Sequence, residues 1–196
     1  MPNPGYLTPS TFKALMTPGK KEPFGGTALA VVNQLALDLA GVERPEEGNS
    51  GASCAWGIEH ESDARCEYES KTLSTVRLAE FRSAPDLAYV GGTMDGLVGH
   101  VGGIEIKCPH NSIIHANADE NLMVNYIYQV HGYMWIYGLQ WIDFVSFDPR
   151  FPEGGQLRII RVERDEAEIS KLRNRCAEAY KMAVKIAEKI RNGNGQ

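Results

Sequence analysis

Cysteine is scarce in this chain: four in 196 residues, Cys54, Cys66, Cys108 and Cys176, with no C-x-x-C pair among them. Their wide spacing supports neither a disulfide framework nor a zinc knuckle, so all four are expected as reduced thiols. Long apolar runs are missing too. None approaches the roughly 20 residues that span a bilayer, and the start, MPNPGYLTPS, lacks the basic and apolar regions of a secretory signal. A cytoplasmic protein with no membrane contact is expected. Nor is there an excess of basic charge, since 20 Lys and Arg stand against 25 Asp and Glu, a formal net charge of −5. That balance argues against a generally basic nucleic-acid coat protein, although a local groove can still be positive. The five histidines, His60, His100, His110, His115 and His131, lack zinc-ligand spacing and are expected to be structural or surface residues. No internal repeat is present.

What is there is an ordinary globular composition, 43% apolar and 23% charged. The length fits a single domain, residues 1–196, with a helical N-terminal part over about 8–70 and a sheet with helices over about 71–191. Thr8 is a candidate cap and Pro9 the first position of a short helix ending near Thr17. The stretch 18–26 (PGKKEPFGG) is loop chemistry with a basic tip. Thr27 to Ala40 predicts a helix ended by Gly41, and a polar loop, Glu43 to Gly51, leads to a second, acidic helix from Trp56 to Ser70. Strand patterns follow at Thr75 to Phe81, Leu87 to Val90, Thr93 to Val98 and Gly103 to Cys108, together suggesting an antiparallel meander. A helix from about Asp119 to Tyr137, capped by Gly138, precedes strands at Trp141 to Phe147 and Gln156 to Glu163. Asp165 can cap a last helix whose Ile169, Leu172, Cys176, Tyr180 and Ala183 keep helical spacing. This order predicts an α/β (α+β) fold, a central mixed sheet flanked by helices.

The most chemically loaded segment is 91–109, GGTMDGLVGHVGGIEIKCP. Within Gly103-Ile104-Glu105-Ile106-Lys107 apolar and charged residues alternate, so on a strand Glu105 and Lys107 share one face and Ile104 and Ile106 the other. Asp95 precedes a Gly-rich hairpin, Val98 to Gly103, that can fold it back beside Glu105. Two carboxylates placed so could bind one hard divalent cation. The spacing alone recurs by chance, and Glu105 with Lys107 reads equally as a structural ion pair. Three charged groups in an apolar strand environment are costly unless paired or metal-bound, which gives the segment its weight. By themselves, Glu61 reads more readily as the i,i+4 partner of Arg65, and Gln129 as a polar residue on a helix flank. Cys108 has no evident His and acid partner and reads as core rather than nucleophile.

Further strings run in a fixed order along the chain: WGIEHESDAR (56–65), GTMDGLVG (92–99), IEIKCP (104–109), YQVHGYMW (128–135), FDPR (147–150) and VERDE (162–166). In order and approximate spacing, from about Leu7 to Ile169, they resemble the lambda-type phage exonucleases. That family is also called the YqaJ viral recombinases, of the PD-(D/E)xK nuclease superfamily with its restriction-endonuclease-like core. The resemblance implies that Asp95, Glu105 and the carbonyl of Ile106 hold metal and that Lys107 is the catalytic lysine. It likewise implies that Glu61 is a further active-site carboxylate and that Gln129 supports the site. Ser10 matches a serine that contacts the DNA 5′ phosphate, and Thr93 a second hydroxyl residue near it. The family's phosphate-binding arginine has no counterpart in Met1 to Pro9, and Lys13, Lys20 or Lys21 are the substitutes within reach. Met94 stands where the family has a proline before the aspartate.

What this implies for function is a Mg²⁺-dependent exonuclease, one or two ions per site with Mn²⁺ able to substitute, acting 5′ to 3′ on linear double-stranded DNA. It would leave 3′ single strands for recombination by annealing. The implied partners are double-stranded DNA ends, a homotrimer ring and a single-strand annealing recombinase, with a phage or prophage gene expressed in the cytoplasm of a bacterial host. The alternatives are another PD-(D/E)xK nuclease such as an endonuclease, or a catalytically inactive DNA-end-binding module. Retention of Glu61, Asp95, Glu105 and Lys107 disfavours the last, because a pure phosphate-binding surface does not need three acids.

Overall fold

In a computed structural model, which describes residues 5–20, 22–43 and 51–193, the segment Gly102–Lys107 is buried along nearly its whole length. A strand with side chains covered on both faces sits inside a sheet, and this one does. The five-stranded sheet contains β1 (Val76–Arg77), β4 (Gly96–Val98), β5 (Gly102–Lys107), β6 (Trp141–Phe147) and β7 (Leu157–Glu163), in the order β1-β4-β5-β6-β7. Only β5 and β6 pair parallel; all other neighbours are antiparallel, so the sheet is mixed. Arg82–Ser83 (β2) and Gly91–Gly92 (β3) form a separate two-stranded ribbon. The start of β5 admits only glycine, because a Cβ on Gly102 would lie 2.1 Å from the Trp141 ring.

Among the described residues, seven α-helices cover this sheet unevenly. α1 (Phe12–Leu15), α2 (Gly26–Ala40), α6 (Ile127–Tyr137) and α7 (Glu166–Arg191) share the larger apolar core with Met94, Leu97, Ile142 and Phe144. α3 (Ala52–Thr72) packs on the opposite face, where Ala64 and Tyr68 meet Ile104, Ile106, Val145 and Phe147. The alternation of β5 therefore divides as its sequence requires. Glu105 lies in the layer of α6, and Ile104 and Ile106 in that of α3. Two short helices, α4 (Ser112–Ala116) and α5 (Ala118–Asn121), connect β5 to α6. No helix of the described residues is long and apolar enough to cross a membrane.

Several expectations need correction. The four-strand meander is not formed: of Thr75 to Phe81 only Val76–Arg77 pairs with the sheet, and Leu87 to Val90 makes a turn with one bridge, Leu7 to Val90. Tyr137, from the helix layer, sets its hydroxyl within hydrogen-bonding distance of the carbonyls of Glu80 and Gly92, its one proton serving one of them at a time, and so ties the flanks of this stretch to the helices. Thr8 does not cap with its side chain; its backbone carbonyl accepts from the Thr11 amide and hydroxyl, closing a 3₁₀ turn over Pro9–Thr11. The helix expected from Asp119 to Tyr137 is broken by a π turn at Leu122–Tyr126, and α4, capped by Asn111, was not foreseen. The second long helix extends beyond both expected ends. Gly41 and Gly138 end their helices with φ of 75° and 71°, and Asp165 accepts from the amides of Ala167 and Glu168, as expected. Lys21 and most of the loop 43–51 lie outside the described residues.

Candidate active site

β5 brings Glu105 and Lys107 to one face, and the short β4–β5 hairpin returns Asp95 beside them. With Gly96 paired to Ile104, Asp95 falls just past the end of β4, and its Oδ2 accepts the Ile106 amide at 2.7 Å. Glu105 is 1% exposed. Its Oε1 accepts from Lys107 Nζ and from Gln129 Nε2, each at 2.6 Å. Its Oε2 is buried with no hydrogen-bond partner. Buried carboxylate oxygens are rarely left so, and a water, an ion or a catalytic role ordinarily accounts for one.

Burial and then the Glu105 charge push the Asp95 carboxyl up to about 8, against the opposing pull of Lys107 and the Ile106 amide. Burial likewise raises Glu105, partly offset by Lys107. Burial pulls the Lys107 ammonium down, but Glu105 and Asp95 outweigh it and the net shift is upward. One partly buried ammonium thus faces a buried acid, Glu105, and a partly buried one, Asp95. The excess is negative, and the available ligand atoms are hard oxygens, the donor type that suits Mg²⁺ or Mn²⁺ rather than a thiolate-seeking metal. No group of three His, Cys, Asp or Glu side chains among the described residues converges as a preformed cage. Asp95, Glu105 and the Ile106 carbonyl would then share a cation with water and phosphate, as Mg²⁺ sites ordinarily do.

α3 supplies Glu61 from the other face. Its carboxylate accepts from Arg65 Nη2 at 2.7 Å and is half exposed, and its charge raises both Asp95 and Glu105. The N-terminal half of α3 is held from the end of the sheet at which β5 and β6 finish. Asp148, fully buried, binds the Arg150 side chain, which lies 4.4 Å over the Trp56 ring and donates to the His110 carbonyl. Cys108 is buried, and its thiol is pushed up to about 12 by burial and by Glu61 and Asp95, which removes it as a nucleophile. His115 is buried between Ser146 Oγ and the Gly155 carbonyl, a structural role.

Ser10, Thr93 and Lys13 lie along the α6 side. The Pro9–Thr11 turn and α1 pack so closely on α6 that a Cβ on Gly132 would stand 2.6 Å from the Phe12 ring and 3.3 Å from Pro9. Ser10 Oγ is 3.0 Å from Thr8 Oγ1 and exposed, and exposed Thr93 is anchored through its carbonyl by Tyr133 Oη at 2.8 Å. Exposed Lys13 is hydrogen-bonded to Asn125 Oδ1. The structure thus joins Glu105, Lys107 and Gln129 by direct hydrogen bonds, holds Asp95 beside them through the Ile106 amide, and couples Asp95 and Glu61 to Glu105 electrostatically. Ser10, Lys13 and Thr93 stand on one wall without mutual contact. Sequence reasoning missed roles for Tyr126 and Tyr133. The spacing 126, 129 and 133 put them on the Gln129 side of the helix, yet an aromatic stripe at helical spacing is ordinarily core.

The family model described as the YqaJ-like viral recombinase domain matches residues 5–140, more than half of the chain. Among solved structures, the alkaline exonuclease LHK-Exo of Laribacter hongkongensis is 29% identical with a TM-score of 0.83, covering 97% of this chain and 94% of that one. A complex of LHK-Exo with dAMP superposes with a TM-score of 0.85 at the same identity and coverage. A phage-related exonuclease of Haemophilus somnus 129PT shares the fold at 20% identity, TM-score 0.77, with 94% of this chain and 96% of that one covered. No curated protein matches the chain significantly.

Proposed function

The chain belongs to the YqaJ-like viral recombinase family, and from that premise we propose that it is a Mg²⁺-dependent exonuclease. Its substrate is linear double-stranded DNA, degraded 5′ to 3′ to leave a 3′ single strand for recombination by annealing. The observation that carries the reading is the Glu105 carboxylate. One oxygen is fixed by Lys107 and Gln129, and the other is buried and unsatisfied beside Asp95. An acid oriented so completely, with a lone pair set left over, is arranged for a cation rather than for stability. The exonuclease activity of a relative 29% identical over nearly the whole chain, and its complex with dAMP, support the reaction class and a nucleotide product.

When bound, Mg²⁺ supplies neutralisation of phosphate charge and acidification of the attacking water. The residues do the rest. Asp95 and Glu105, with the Ile106 carbonyl, would hold the cation, and their placement would set where the scissile phosphate enters. Gln129 holds the plane of the Glu105 carboxylate. Lys107, charged at neutral pH, stabilises negative charge on the phosphate or steers the water through its three donors. Glu61 reaches the same space from α3 and can accept a proton from the water. Ser10, Thr93 and Lys13 form the wall proposed to take the 5′ phosphate, with Lys13 standing in for the family's arginine. A single nuclease domain assembled as a homotrimer around DNA would give processivity without a basic chain, and a single-strand annealing recombinase in the bacterial cytoplasm would receive the product.

The test uses linear duplexes with 5′-phosphate or 5′-hydroxyl ends, and closed circles, in Mg²⁺ or EDTA. Loss of linear duplex only, only with Mg²⁺, is expected. Rapid loss of circles, or intact linear DNA in Mg²⁺, overturns the proposal.

A further inference from the structure

The turn that interrupts the helix ahead of Gln129 is unusual in its hydrogen bonding. The Ile127 amide reaches back to the Leu122 carbonyl, an i to i+5 bond that encloses one residue more than an α turn. Such turns are strained insertions that recur at functional sites. Here the inserted geometry presents two adjacent side chains to two different lysines. Asn125 accepts from Lys13 Nζ and donates to Asn121 Oδ1. Tyr126 puts its ring 5.1 Å from Lys107 Nζ, and its own body rests against Phe144 at 5.4 Å between centroids.

The ammonium of Lys107 is thus held from two sides. Glu105 Oε1 takes it at 2.6 Å, and the Tyr126 ring lies within the roughly 6 Å over which a ring face attracts a cation. Without the ring, a four-carbon stem with free rotors is held by the two carboxylates alone, and the ammonium can follow the Glu105 oxygen into other rotamers. We propose that Tyr126 is a positioning residue for Lys107, and that the π turn joins it to Lys13, so that contacts made at the DNA end are felt at the reacting centre. The inference rests on the exonuclease reading of the same site. It adds that the π turn, not α6 proper, aligns the lysine.

The test compares Tyr126→Phe, Tyr126→Leu and a series with phenylalanine at 126 fluorinated stepwise, which withdraws electron density from the ring face at nearly constant size. Expected is kcat within about twofold of native for Tyr126→Phe, a loss of about tenfold for Tyr126→Leu with KM little changed, and a graded fall along the fluorinated series. A purely structural ring gives no gradient, so a flat series overturns the proposal even if Tyr126→Leu is destabilised. So does a Tyr126→Leu effect confined to KM. The link to Lys13 is read by a double-mutant cycle on 5′-phosphorylated duplex: Lys13→Met should cost less kcat in the Tyr126→Leu background than in the native one, and strict additivity removes the link. A second readout needs no turnover. The methyl resonance of reductively methylated Lys107, assigned by its loss in Lys107→Arg, should sit upfield in the native protein and move downfield in Tyr126→Leu. An unshifted native resonance overturns the contact itself, whereas a shifted resonance in a protein inactive on linear DNA overturns only the exonuclease reading.

Discussion

The two walls of the site are built by different means. On the α6 wall Gln129 and Tyr133 are buried, and their polar atoms are bound to Glu105 and to the Thr93 carbonyl. On the α3 wall Glu61 is half exposed and held by a single ion pair with Arg65. A buried hydrogen bond to a charged group is worth about 1.5–3 kcal/mol, whereas an exposed i,i+4 pair is worth about 0.3–0.5. The first wall is therefore fixed before substrate arrives, and the second can adjust to it. The comparison teaches that chemistry and stability are coupled on one side of β5 and separable on the other.

The sharpest way to break that contrast is to remove its common member. Glu105→Gln should lower cleavage by at least about a thousandfold, and should abolish the rise in thermal midpoint that the proposed Mg²⁺ site predicts for the native protein. A retained Mg²⁺ shift would mean that the cation sits elsewhere. Glu61→Gln should cost on the order of a hundredfold in kcat while leaving the thermal midpoint nearly unchanged; a clear drop in the midpoint would erase the distinction between walls. Gln129→Leu should lose about tenfold in kcat together with about 1–2 kcal/mol of stability, seen by urea titration, because it strips a donor from a buried carboxylate. Full stability there would show that the α6 wall is no more rigid than the other.

The smallest effect concerns the clamp on α3 and depends on pH. Hydrogen bonds from Arg150 outweigh burial and hold the Asp148 carboxyl down at about 2, below its ordinary value. Depressed in the folded state, it contributes stability that is fully present above its unfolded pKa near 4 and is lost as pH falls toward 2. Asp148→Asn should accordingly be less stable than native at pH 7, with the two curves converging between about pH 4 and pH 2. Parallel curves over that window would exclude the clamp as the source.

Much of this arrangement is legible in the sequence, and for physical reasons. The alternation of Ile104, Glu105, Ile106 and Lys107 fixes which side chains share a face, and the hairpin glycines fix where Asp95 lands. Gly41, Gly138 and Asp165 end or begin helices through backbone conformation and capping that act locally. What escapes is set by partners distant in the chain. Tyr137 ties residues 80 and 92 to the helix layer, a contact between segments more than 40 residues apart that no local propensity encodes. The π turn at Leu122–Tyr126 has ordinary helix-forming residues, so nothing in LMVNY signals an extra residue in the turn. Tyr126 as a cation's neighbour is not encoded locally, because its meaning depends on where Lys107 points. Glu61 and Gln129 were recoverable only through family resemblance, since each alone has a blander explanation.

One oxygen of Asp95 is spent on the Ile106 amide, which makes the strand pairing a ruler. The separation of the two acids is measured out in hydrogen-bonded rungs, from Gly96 opposite Ile104 to Val98 opposite Gly102. A slip of one rung would present Ile104 and Ile106 where Glu105 and Lys107 now stand. The hairpin tip at 99–101, which touches no chemistry, is thus where the instrument is zeroed. An insertion there should leave a folded protein whose acids no longer agree on where a cation belongs.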